Sequence, residues 1–268
     1  MKLLPNVYQD KLNADHRNPL KSLGAHKDVS AKYKFQSSTE LINRICLHGF
    51  KLESTSYAEV YKPEKSGFQK HIMIFTNDDL RIDDENQIQL LVTNSHDRTS
   101  SLKFNLGIYR TVCANGLVVG ETFFSDRIIH VGKDQFEDKL VAILDKFVKK
   151  APEVVSMVRQ MKLITMSDRL ASRFALDCAF ESLRQNEGVT IDVMSILKRH
   201  RQADMSTDLW TIYNVVQENI VRGKFKYQKP NKEGVNVLKK ATRVKSLDRT
   251  RVVNQMIFDK AQVFLNVA

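Results

Sequence analysis

Cysteine is scarce in this 268-residue chain: only Cys46, Cys113 and Cys178 occur, far apart and without a CxxC pair. Such a set excludes a disulfide framework and a zinc ribbon, and reads as reduced thiols, so the expected compartment is the cytoplasm. No run approaches the roughly eighteen apolar residues of a membrane span. The opening residues Met1-Lys2-Leu3-Leu4-Pro5-Asn6 lack the apolar core of a signal peptide. Five prolines, ten glycines and one tryptophan leave no low-complexity linker. Neither a P-loop nor a GxGxxG turn is present. The seven histidines (His16, His26, His48, His71, His96, His130, His200) show no zinc-like spacing. No cofactor, metal or catalytic residue is therefore assigned.

Acidic residues are also in deficit, with 31 Asp+Glu against 42 Lys+Arg, a net charge of +11. The surplus is local. Residues 222–251 carry eleven Lys/Arg against Glu233 and Asp248, leaving +9. Residues 1–36 carry +4, and residues 37–221 are close to neutral at −2. A near-neutral body with a basic segment at one end selects a polyanionic partner. Within that segment Arg222, Lys224, Phe225, Lys226, Tyr227, Lys229, Lys232, Lys239, Lys240, Arg243 and Lys245 are the candidate nucleic-acid-binding residues. Cations there can neutralise phosphates and aromatic faces can stack on unpaired bases. Pro230, Gly223 and Gly234 make it read as a loop over 222–247, without the amphipathic stripe a membrane surface needs.

Patterning predicts an α+β fold: a short helix, an antiparallel β-sheet, a long packing helix, then a helical C-terminal region. Residues 1–36 read as a basic N-terminal arm, 37–165 as the sheet-plus-helix core and 166–268 as the helical region. Ser37 to Glu40 offers a capping box, and Gly49 a helix stop. Period-two segments at 51–61, 69–76, 88–93, 101–112 and 117–119 predict strands, with a last one over 126–131. Asn77-Asp78-Asp79 and 83–86 read as turns. The 3.6-spaced stripe from Phe136 to Val148 predicts a helix that Pro152 breaks. Further helices are expected over 170–183, 191–201, from an N-cap at Thr207, and over 248–265.

Two short stretches stand out. Ser95, His96 and Asp97 are adjacent, and triad members are normally brought from distant segments, so that stretch reads as a turn bonding its own backbone. Asn115-Gly116 between apolar runs is a strong hairpin-turn signal.

The segment Leu90-Leu91-Val92-Thr93-Asn94-Ser95-His96-Asp97-Arg98-Thr99-Ser100-Ser101 resembles the signature of the phage- and plasmid-encoded family known as domain of unknown function 932. So do Gly107-Ile108-Tyr109-Arg110-Thr111-Val112-Cys113-Ala114-Asn115-Gly116-Leu117-Val118-Val119-Gly120-Glu121 and Asp208-Leu209-Trp210-Thr211-Ile212-Tyr213-Asn214-Val215-Val216-Gln217-Glu218-Asn219. The likeness runs from about Phe35 to Ala268. It marks Asn94, Ser95, His96, Asp97, Arg98, Arg110, Asn115 and Gly116 as family-motif positions, with Arg98 standing where relatives often carry Gly. It implies a mobile-element protein, and the order of elements is similar to single-strand annealing proteins of the Red-beta and RecT kind.

The expected function is binding and annealing of single-stranded DNA without catalysis, by a homo-oligomer with no membrane partner. The alternatives are an anti-defence protein that inhibits a host protein complex, and a metal-dependent nuclease using His96, Asp97 and loop carboxylates.

Overall fold

The computed structural model describes residues 18–58, 60, 62–110, 116–117, 124–130, 135–184, 188–245 and 247–265, with backbone only at 109, 110, 116, 117, 247 and 248. It is an α+β protein of two compact units, Met1–Val155 and Ser156–Ala268.

In the first unit α1 (Ser38–Leu47) starts at Ser37, whose hydroxyl accepts the Glu40 N–H, and stops before Gly49 at φ +82°. Four strands then form an antiparallel meander: β1 (Lys51–Tyr57), β2 (His71–Arg81), β3 (Asn86–Asn94) and β4 (Leu102–Arg110). The free edge of β4 pairs with β5 (Gly116–Leu117) near one end and β6 (Ser125–Ile128) near the other. Residues 71–76 of β2 and 88–92 of β3 are buried on both faces. Their continuous Ile, Leu, Val and Phe runs are what a doubly covered strand requires. From α2 (Phe136–Leu163), Phe147 sits edge-on to Phe50 and Phe124 at 5.8 and 5.5 Å.

Three expectations need correction here. Pro152 lies inside an unbroken α2, whose buried neighbours Ala151 and Val154 hold the helix through the missing hydrogen bond. Asn77-Asp78-Asp79 is not a turn: β2 runs past it to Arg81, and the ladder absorbs the residues as a register shift between Thr76 and Arg81. Gly116 lies in β5 opposite Tyr109 rather than in a two-residue turn. Asn115 and Cys113 lie outside the described residues.

The second unit centres on α5 (Leu209–Val221), all thirteen residues of which are buried. Its start is capped by Asp208, not Thr207: the Asp208 carboxylate accepts the Thr211 N–H at 2.9 Å, and a carboxylate also suits the positive end of the helix. Around it pack α3 (Asp168–Leu183) and α6 (Leu247–Leu265). Tyr213 of α5 meets Phe258 of α6 edge-on at 5.8 Å, and Gln217 donates to Asn254 at 3.0 Å. The helix expected over 191–201 is instead β7 (Thr190–Asp192) followed by the single turn α4 (Val193–Ile196). Strand β7 exists because β8 (Lys226–Pro230) pairs with it, and β9 (Asn236–Lys240) completes a three-stranded antiparallel sheet. The segment over 222–247 is thus not a loop. No helix among the described residues is long and apolar enough to cross a membrane.

Candidate nucleic-acid interface

The β8–β9 hairpin turns at 231–234, where the Asn231 side chain accepts the N–H groups of Glu233 and Val235 at 2.9 Å and Gly234 takes φ +80°. The Ala241 N–H donates to the Phe225 carbonyl at 2.9 Å, so Phe225/Ala241 is a hydrogen-bonded pair. Alternation makes Lys226/Lys240, Gln228/Leu238 and Pro230/Asn236 the non-bonded pairs, which is why Pro230 is tolerated.

The same alternation sorts the side chains into two faces. One begins in the core with Ile191, Phe225 and Ala241, all buried, and runs out through half-buried Tyr227 and Lys229 to exposed Val237 and Lys239. The other presents Lys226, Gln228, Leu238, Lys240 and Asn236 to solvent, with Asp192 of β7 opposite Lys226. Residues 231–240 are all exposed, Leu238 by 60%.

This division corrects the sequence reading. Phe225 is 1% exposed, so it belongs to the core and is not available for stacking. Tyr227 is the aromatic that remains open on the hairpin. Lys226, Lys232, Lys239, Lys240 and Lys245 are exposed as expected, and Arg243 is half-buried.

Arg222 and Lys224 are not free cations. Both contact the carboxylate of Glu218, at 3.3 and 2.7 Å, and Arg201 reaches it at 2.7 Å. Glu218 is 2% exposed. Burial alone would raise its pKa, but hydrogen bonds from Arg201 and Lys224, with the charges of Arg201 and Arg222, bring it down to about 2. Arg201 also pairs with buried Asp204 at 3.1 Å. The loop carrying it is fastened to α5 by Asn219, which donates to the carbonyls of Ile196 and Lys198 at 2.6 and 2.9 Å. The i,i+4 spacing of Glu218 and Arg222 is readable in the sequence, but Arg201 joins them only in the fold.

The motif around residue 94 has a different character. Asn94, Ser95 and His96 are fully buried, and Asn94 stands directly opposite His71 across β2 and β3. His71 donates Nδ1–H to the Gln69 carbonyl at 3.0 Å, so its Nε2 accepts the Ser38 hydroxyl proton at 2.7 Å. Asn94 Nδ2 and His96 Nε2 both donate to Ser38 Oγ at 3.2 Å, and His96 Nε2 is shared with the Pro19 carbonyl at 3.1 Å. Ser38 thereby uses its one donor and two acceptors. His130 faces the Lys34 carbonyl at 3.2 Å and Asn94 Oδ1 at 3.1 Å.

Residues 18–36, the described part of the basic arm, are tied to this cluster. Two of their carbonyls bind this cluster, Tyr33 stacks on His130 at 4.7 Å, and the Tyr33 hydroxyl donates to the Ser95 carbonyl. Burial pushes His71 down to about 4 and His96 to about 3, the latter helped by His71 beside it, and it lowers His130 as well.

His96 and Asp97 do not form a working pair. His96 has no exposure, and Asp97 Oδ1 accepts the Thr99 N–H and hydroxyl at 3.1 and 2.6 Å. Arg98, next in the turn, takes φ +66°. That left-handed conformation costs a non-glycine residue about 1 kcal/mol or more. Arg98→Gly is expected to melt no lower than the parent. The β-branched Arg98→Val should lose about 1–2 kcal/mol in chemical denaturation, and equal stability of the two variants would contradict the strain. The side chain of Arg110, at the end of β4, lies outside the described residues.

Fold and surface together define an α+β protein with a meander sheet, a helical second unit and a lysine-faced hairpin. Among the described residues, no group of three His, Cys, Asp or Glu could hold a metal ion. The chain belongs to the family described as Domain of unknown function (DUF932), which matches residues 25–256. Two Escherichia coli K12 relatives, UPF0380 protein YfjQ and UPF0380 protein YafZ, are each 29% identical to it over 206 residues, covering 74% of this chain and 71% of theirs. No solved structure matches.

Proposed function

We propose that the protein binds single-stranded nucleic acid, DNA in the first instance, through the solvent face of the β7–β8–β9 sheet, and acts by binding and annealing rather than by catalysis. The observation that carries this reading is the Lys226/Lys240 pair. Its members sit directly opposite each other at a non-bonded position, where Cα atoms approach to about 4.5 Å. Like charges so placed destabilise a hairpin, and Asp192 offers one carboxylate to the two of them. A phosphate chain laid along this face relieves the repulsion. Leu238 and Gln228 lie between the cations and the tip, and exposed Leu238 offers an apolar surface to a base, while Tyr227 stands on the opposite face. On this reading the protein acts in the cytoplasm, assembles as a homo-oligomer along the strand, and serves a phage or plasmid, as the sequence resemblance implies.

Replacing Lys226, Lys232 and Lys240 together by Ala is expected to reduce the slope of log affinity against log salt by about 2, at roughly 0.7 per single-strand phosphate contact. Fluorescence anisotropy with a labelled single-stranded oligonucleotide checks this, and an unchanged slope removes the hairpin from the interface.

A second reading has its own support. The N–H and C=O groups of Asn236, Leu238 and Lys240 point away from β8 along an open edge, which suits strand addition by a protein partner. An anti-defence protein that inhibits a host complex would bind oligonucleotides weakly and a protein tightly.

A further inference from the structure

We infer that Glu218 is a positioning residue which presents Arg201, Arg222 and Lys224 as one pre-formed phosphate-binding surface at the root of the hairpin; this rests on the nucleic-acid reading above. The carboxylate lies inside at 2% exposure, while the three cations it gathers are 26, 26 and 31% exposed. A negative core thus carries a positive outer layer. The cluster is cation-rich, because Glu218 and Asp204 are two anions facing three cations. A phosphodiester carries a single negative charge and would bring it to neutrality.

A fourth cation, half-buried Arg243, joins Arg222 here, and the Nε donors of both are enclosed within the fold. They lie on adjoining segments: the Val244 N–H donates to the Val221 carbonyl at 2.9 Å, and Gly223 abuts the backbone of 241–243. The surface is also continuous with the solvent face of the hairpin, because Lys224 precedes Lys226 by the two-residue repeat of an extended chain. Long cationic side chains lose rotamer entropy when a ligand immobilises them. Here Glu218 has already removed that freedom, so the phosphate meets cations held in place.

The test sets two expectations against each other. Glu218→Gln makes the protein more positive by one charge, and net charge alone would strengthen binding to an oligonucleotide. Positioning requires the opposite. Affinity for a labelled single-stranded oligonucleotide should fall about tenfold, as it does when pre-placed charged contacts are lost. Glu233→Gln, the same charge change at the exposed hairpin turn, should leave affinity equal or higher. Glu218→Gln binding as tightly as Glu233→Gln overturns the inference while leaving the nucleic-acid reading standing. A wild-type protein that binds no oligonucleotide overturns both. If Glu218→Gln does not fold, Lys224→Gln against Lys232→Gln decides: each removes one cation, and the inference requires the first to lose several-fold more affinity. Equal losses overturn it.

Discussion

Stability should fall steeply as the pH drops from 6.5 to 4, with the histidine cluster behind Ser38 as the cause. His71 and His96 have pKa values near 4 and 3 in the folded state, against about 6.5 in an unfolded chain. Their folded values are depressed, so the unfolded state binds more protons throughout this window. The stability they confer is complete above pH 6.5 and is lost as acid is added. Each histidine contributes up to about 1.4 kcal/mol per pH unit, and the pair nearly 3. Glu218, at about 2 in the fold, adds to the same trend only below its ordinary value near 4.5.

The geometry explains why these protons are refused. A proton on His71 Nε2 displaces the Ser38 hydroxyl, and one on His96 Nδ1 enters an enclosed position with no acceptor. His130 differs, since both its nitrogens already face acceptors. Urea denaturation followed by far-ultraviolet circular dichroism across this pH range measures the effect. A flat profile between pH 6.5 and 4 would show that the cluster is not neutral and buried as described. Trp210 fluorescence reports the second unit instead, where the onset should come later, below about pH 4.5.

Gly223→Ala should cost about 3–5 kcal/mol, combining the left-handed strain of an L-residue with forced displacement of packed backbone. Gly223 stands at φ +62°, and a Cβ there would meet the Ala241 carbonyl oxygen at 2.5 Å, the Arg243 nitrogen at 2.6 Å and the Thr242 carbonyl carbon at 2.7 Å. None of these is a flexible side-chain end. The substitution therefore pries the second hairpin strand from the end of α5 and takes Lys224 away from Glu218. Loss of stability and loss of oligonucleotide binding should appear together. Gly234→Ala is the control: φ is +80° but nothing lies within 4 Å, so only the conformational cost remains. Similar melting curves for the two alanine variants would refute the backbone contact.

Parts of this were legible in the residues. The Ser37 cap announces α1, and two-residue alternation announces the meander, because turn and cap chemistry act within a few positions. The strand segments show as period-two stretches rich in Val, Ile, Phe, Tyr and Thr, whereas the burial of 71–76 and 88–92 on both faces comes only from the fold. The β8–β9 hairpin was missed because lysine and glutamine occupy its outer face while Tyr227 and Lys229 share its inner one. Period two was present in geometry but not in hydrophobicity. Strand β7 was hidden for a related reason: three residues have no period, and only pairing with β8 defines them. The histidine cluster collects residues 38, 71, 94, 96 and 130 from four parts of the chain, so no spacing rule could reveal it. Reading His96-Asp97 as a structural turn agrees with the burial of His96, yet the histidine's partners could come only from the fold. Phe225 was misassigned because an aromatic between two lysines looks exposed until its opposite, Ala241, is known to be buried.

The outer rim of β9 has a consequence for solubility. An edge strand, open on one side among the described residues and carrying exposed Val237 and Leu238, is a template on which further chains can stack without limit, and lysine is the side chain that most effectively interrupts such growth. Lys239 and Lys240 thus serve as gatekeepers of this edge. Neutralising them, by acetylation or at strongly alkaline pH, would convert a charged fringe into an adhesive one, and the protein would tend toward fibrous self-association.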